Sequence, residues 1–98
     1  MAVTALLDLQ LKPDSLETAD KVIHATLAAT RAFPGCLRVT VLVEGGNPAH
    51  VVLFETWESL EADRAYRAWR ATPEGVSDLG SILAAAPTLA LFTEVEGV

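Results

Sequence analysis

An imidazole, two indoles, a phenol and three guanidiniums fall within His50 to Arg70, HVVLFETWESLEADRAYRAWR. His50 titrates near neutral pH and so could take the proton from a phenol. Trp57 offers a broad apolar ring with one N–H donor at its edge. Tyr66 and Trp69 follow at helical spacing, and with Trp57 they make an aromatic group suited to stacking a flat ligand. Arg70 closes the run as a candidate anion partner. Each residue also has a plainer use. Trp57 can simply close a core corner, His50 can sit half-exposed at a strand end, the aromatics can be ordinary core, and Arg67 and Arg70 can be a solvated helix end.

These residues straddle a change of period. Before Trp57 the run Val51-Val52-Leu53-Phe54 has the composition of a strand buried on both faces. After it, Ala62, Ala65, Tyr66 and Trp69 recur as in an amphipathic helix, with charges between them. Trp57 is therefore expected where strand hands over to helix, at the lip of any space between sheet and helices. Ser59 is a candidate cap for that helix. Acids early and arginines late suit its macrodipole, and Asp63 and Arg67 are spaced to pair.

The rest of the chain supplies the remaining elements. Ala2 to Leu11 alternates as a strand, and Lys12-Pro13-Asp14 ends it. Asp14 with Glu17 resembles a capping box, opening a helix whose buried stripe is Leu16, Ala19, Ile23 and Leu27. Cys36 to Glu44 alternates as a second strand, and Gly45-Gly46-Asn47-Pro48 turns it into a third from about Ala49. Thr72-Pro73 opens a further helical piece with Val76, Leu79 and Leu83 as its stripe. Thr88 to Val95 reads as the last strand. The order β-α-β-β-α-β predicts an α+β, ferredoxin-like antiparallel sheet with the helices on one face.

One domain of 98 residues has little room to bury a core, yet 51% of the chain is apolar and its mean hydropathy is +0.34. Strands two and three carry Leu42, Val52 and Phe54 on the face opposite Val39, Val41 and Leu53. Leaving that second face wet would forfeit several kcal/mol at ~25 cal/mol per Å², so a homodimer is expected. A net charge of −6 with seven basic residues argues against nucleic acid. No apolar run reaches the ~18 residues of a spanning helix, and the N-terminus lacks the marks of a signal peptide. No membrane association and a cytoplasmic location are expected. One cysteine and two histidines make no metal-ligand cluster. Cys36 reads as a small buried hydrophobe, His24 as a surface residue, and Arg38 as paired with Glu55 or Glu94.

Phe33-Pro34-Gly35, Phe54-Glu55-Thr56-Trp57-Glu58-Ser59 and Ala65-Tyr66-Arg67-Ala68-Trp69-Arg70, in this element order, resemble the antibiotic biosynthesis monooxygenase family. The resemblance spans roughly Ala2 to Glu96. It implies a dimeric α+β barrel and oxidation of a polycyclic phenolic substrate by O2, with neither flavin nor metal. Trp57 matches the family's pocket tryptophan. Taken with the residue reading above, the expected catalytic residues are Trp57 and His50, with His50 or a substrate-bound water as base, and Phe54, Tyr66, Trp69 and Arg70 are expected to bind the substrate. Two positions depart from the family pattern. Leu53 stands where quinone-forming members carry asparagine, and no histidine follows Trp57 where haem-degrading members have their axial ligand. A dimer that binds an aromatic ligand without chemistry, or a cyclase or isomerase in the same pocket, are the alternative readings.

Overall fold

Strand parity organises the molecule. In the computed structural model, which describes residues 1–98, β1 (Val3–Gln10), β2 (Cys36–Glu44), β3 (Asn47–Trp57) and β4 (Thr88–Phe92) form one antiparallel sheet in the order β2-β3-β1-β4. That order, with α1 (Leu16–Ala32) and α2 (Leu60–Arg70) as crossovers, is the ferredoxin-like arrangement predicted from the sequence. Odd-numbered residues of β1 and β3 turn toward the helices. Val3, Ala5, Leu9, Val51, Leu53 and Trp57 are buried there, with Ala19, Ile23 and Leu27 of α1 over them. Even-numbered residues form the opposite, helix-free face, where Leu42 is 46% and Phe92 52% exposed.

Element boundaries follow local chemistry. Leu37 sits at a register irregularity between Cys36 and Arg38, which leaves its side chain outside both faces' regular pairing. Gly46 takes positive φ in the hairpin turn. Gly35, at φ 89°, accepts Glu58 N–H through its carbonyl at 2.8 Å, and a Cβ there would lie 2.5 Å from the Ala62 Cβ. Glycine is needed because the turn before β2 rests on α2. Ser59 caps α2 as expected, accepting from Ala62 N–H at 3.1 Å.

Three expectations are corrected. Pro13–Ser15 forms a 3₁₀ turn, so α1 starts at Leu16 and Asp14 is not its cap; the Ser15 side chain makes no capping bond either. The piece after Thr72 is two 3₁₀ turns, Pro73–Gly75 and Asp78–Ile82; Ile82 is buried, while Val76, between the turns, is 71% exposed. Pro73, Gly75 and Gly80 within so few residues prevent a continuous helix. The last strand ends at Phe92, short of Val95, while β3 begins two residues earlier than expected. No helix is long and apolar enough to cross a membrane.

Candidate functional site

The six residues singled out by sequence divide between the two faces of the sheet. Trp57, Tyr66, Trp69 and Arg70 lie on the helix side; His50 and Phe54 lie on the open face. His50 and Trp57 are also seven residues apart along one strand, ~23 Å at 3.3 Å per residue. Within one chain they cannot grip the same small molecule.

Trp57 is completely buried. Its ring lies 4.8 Å from that of Tyr66 and meets Phe33 edge-on at 6.1 Å. The niche beside the indole is thus filled by the chain's own side chains, and Trp57 is not at an open lip. Its Nε1–H donates to Glu55 Oε1 at 3.0 Å. Glu55, 1% exposed, also accepts from Arg67 Nη2 at 2.6 Å, and the same nitrogen reaches Asp63 Oδ1 at 3.0 Å. Two buried carboxylates therefore share one guanidinium, which offsets part of their desolvation cost. Arg67 Nε is buried without a partner. The predicted Asp63–Arg67 pair is present, but Glu55 and Asp63 were missed as members of a buried cluster. The parity of β3 carried the signal: Glu55 shares its face with Val51, Leu53 and Trp57.

Tyr66 and Arg70 join this cluster to the surface. Arg70 Nε donates to the Tyr66 hydroxyl at 2.7 Å, and its Nη2 donates to Thr26 O at 2.8 Å and Thr30 Oγ1 at 2.9 Å. Its Nη1 donates to Gly75 O at 3.2 Å. With the Tyr66 oxygen already accepting, its proton goes to Thr30 Oγ1 at 2.6 Å, and Thr30 passes its own to Thr26 O at 3.4 Å. Arg70 has five N–H donors; one on Nη1 is left. Its guanidinium lies 5.1 Å from the Tyr66 ring centroid and 5.0 Å from that of Trp69.

Beside this pair opens a cleft of about 250 Å³ between α1 and the 3₁₀ turns. Trp69 and Arg70 line it with the short side chains of Ala25 and Ala29, and Glu74 and Asp78 also border it. A flat ring can lie against the half-buried Trp69, with the Arg70 guanidinium at the same wall. Small residues on α1 leave the space, and the turn after α2 forms its far wall.

On the open face, His50 is clamped. Its Nε2 lies 2.8 Å from Asp8 Oδ2 and its Nδ1 2.6 Å from Glu44 Oε1. The hydrogen bonds to Asp8 and then Glu44 raise its pKa above the ordinary histidine value. Both ring nitrogens of His50 are thus engaged by carboxylates on the open face, on the other side of the sheet from the Trp69–Arg70 cleft. Phe54 is 36% exposed on the same face, between Thr40 of β2 and Leu6 of β1. The partner expected of Arg38 is corrected. Glu55 lies on the other side of the sheet, and Arg38 Nε donates only to Thr40 Oγ1, at 3.2 Å. Cys36 is partly buried opposite Trp57; burial first, then the Glu55 charge, pushes its thiol pKa up. No group of three His, Cys, Asp or Glu side chains is placed to hold a metal ion.

Comparison with known proteins places this geometry. SnoaB from Streptomyces nogalater, described as a cofactor-independent oxygenase, superposes with a TM-score of 0.81 at 21% identity, over 99% of this chain and 96% of that one. Rv0793 from Mycobacterium tuberculosis gives 0.77 at 19% identity, over 98% and 97%. A conserved protein from Methanosarcina mazei gives 0.79 at 17%, over 97% and 94%. These likenesses show a shared fold. No curated protein matches the sequence. The family profile for antibiotic biosynthesis monooxygenase matches residues 2–75, most of the chain, and this protein belongs to that family.

Proposed function

We propose that this chain forms a homodimeric oxygenase that uses O2, without flavin or metal, on a planar phenol or enolisable aromatic ketone bound in the Trp69–Arg70 cleft. The observation that carries this reading is a guanidinium fixed by four hydrogen bonds beside a half-buried indole, with one donor to spare. Such a donor stabilises the ligand's oxyanion more than its neutral form, which favours ionisation in place. The released proton goes to water or to the rim carboxylates of Glu74 and Asp78.

The ionised ring is the reductant. It passes one electron to O2, the two radicals join as a carbon-bound peroxide, and loss of water leaves a carbonyl. One CH2 and one O2 become one C=O and one H2O. Trp57 does not touch the ligand in this scheme. It is a positioning residue, held by Glu55 beneath Tyr66, and Tyr66 in turn sets Arg70.

A second reading, ligand binding without chemistry, has its own support. The Trp57 N–H is already committed to Glu55, and Leu53 stands where the quinone-forming pattern has asparagine. One experiment separates the two. The purified chain is incubated with an anthrone-type phenol in metal-free aerated buffer, and oxygen uptake and binding are measured together. The expected result is uptake above the uncatalysed rate, with KM raised about tenfold in Trp69→Leu through lost stacking. Saturable binding with no added uptake supports the binding dimer instead. Neither binding nor uptake across such phenols would sink both.

A further inference from the structure

The Glu55–Asp63–Arg67 cluster is not electrically balanced. Two buried carboxylates meet one guanidinium, so the interior beside Trp57 holds a formal charge of −1. An unmatched charge inside a protein is costly, and holding an indole in place does not require one. Trp57 bonds directly to the cluster, its Nε1–H donating to Glu55 Oε1 at 3.0 Å.

From this buried indole a row of rings leads outward. The Trp57 and Tyr66 centroids are 4.8 Å apart, and Tyr66 lies 6.3 Å from Trp69, the half-buried indole of the cleft. Phe33 packs against all three. Rings at such separations are in contact, and rings in contact pass single electrons readily. Charge sets a direction along the row. Arg70 stands 5.0 Å from the Trp69 centroid, and Arg67 and Arg70 stand 4.9 and 5.1 Å from that of Tyr66. A guanidinium over a ring opposes electron loss, which leaves the ring positive. Arg67 also reaches Glu55 beside Trp57, but there two carboxylates outweigh it. The proton decides the same way. Tyr66 can pass its proton only to the Thr30 hydroxyl, whereas the Trp57 N–H already faces a carboxylate.

We propose that Trp57 is an internal electron donor, which reduces an organic radical at the cleft through Tyr66 and Trp69 while its indole proton moves to Glu55. The radical is oxygen-centred, a phenoxyl or a peroxyl. It gains one electron, takes a proton from water and leaves as a phenol or a hydroperoxide. The chain is left with a neutral indolyl radical and a protonated Glu55, and the cluster has lost its excess charge. A soluble thiolate then returns the electron, becoming a thiyl radical, and Glu55 returns the proton. The device quenches a stray radical before it attacks the chain. It goes beyond the oxygenase reading and does not need it, because an oxidant made by light can stand in for the ligand.

The test is flash photolysis of the full chain with a ruthenium polypyridyl photo-oxidant. Transient absorption and spin resonance of freeze-trapped samples read the product, and circular dichroism checks the fold of every variant. The parent should give a long-lived neutral tryptophanyl radical. Trp69→Phe should form it more slowly with the same spectrum, and since the chain has two tryptophans, that variant keeps only Trp57. The outer variant therefore identifies the radical even where Trp57→Phe does not fold. Trp57→Phe should abolish the long-lived signal. Glu55→Gln removes the proton's destination and should shift the product to the short-lived cation form. A long-lived radical that survives in Trp57→Phe overturns the proposal, as does a parent chain that gives none. A signal abolished by Cys36→Ala overturns it too, by placing the radical on the thiol packed against these rings. Formation at the parent rate in Trp69→Phe would remove the outer ring as the way in, and an unchanged neutral radical in Glu55→Gln would remove the proton transfer.

Discussion

His50 shows how neighbours decide what a side chain does. An imidazole at a strand end reads as a base, but here two carboxylates bonded to its two nitrogens favour the protonated ring and tie β1, β2 and β3 together. Its pKa is raised in the folded chain, so folding binds a proton more tightly than the unfolded chain does. The stabilisation is therefore fully present below the unfolded value of about 6.5 and is lost as pH rises through the folded value. Thermal melts of the parent chain and His50→Gln should differ most between roughly pH 5 and 6, and the difference should shrink on the alkaline side. A gap that widens with pH would mean the ring is held neutral. The partner of Glu55 was hidden in the sequence for a related reason. Its guanidinium partner comes twelve residues later, across the strand-to-helix corner, and no local pattern announces that pairing. Trp57 was legible as a residue at that corner. That Phe33 and Tyr66 would close over it was not, because such filling depends on how three elements converge.

At the scale of elements, patterns of one residue type read well and broken ones read poorly. β2 is bounded as alternation and the Gly-Gly turn predict, and Ser59 caps α2. The region after Thr72 misleads because Val76, Leu79 and Leu83 have helical spacing while Gly75 obeys a stricter demand. A Cβ on Gly75 would fall 2.0 Å from the Trp69 carbonyl oxygen and 2.8 Å from the Arg70 Cα, both backbone atoms. The 3₁₀ turn thus lies directly against the end of α2, and Arg70 Nη1 reaches the Gly75 carbonyl to hold it there. Gly75→Ala must push the turn away, breaking that bond and opening the cleft wall. A loss of about 1–3 kcal/mol is expected from such overpacking, measured as a lower urea midpoint. An unchanged midpoint would show that the turn moves freely.

For the molecule as a whole, only 18 of 98 residues are buried, and every residue of β4 is exposed. On the helix-free face Leu42 and Phe92 stay 46% and 52% open although β4 is hydrogen-bonded to β1 throughout. A chain this apolar gains more by covering such surface than by leaving it in water. Sedimentation equilibrium should therefore return twice the 10.4 kDa chain mass, and Leu42→Asp, a charge set in the middle of the helix-free face, should return the single mass. A Leu42→Asp chain that sediments like its parent would place the contact elsewhere. The ferredoxin-like order was legible because it follows from the succession of elements. The division of the candidate site into two faces was legible only in part, since parity shows which side a residue takes but not which side is closed by its own chain.

The far border of β4 leaves its amide and carbonyl groups without a neighbouring strand. The segment Thr88–Phe92, TLALF, has no charged residue and no proline to discourage stacking by another extended peptide. The chain accordingly carries an aggregation hazard along this border, which a copy lying against the helix-free face would leave uncovered. Dilution, by making edge-to-edge encounters rare, is what keeps such a border harmless.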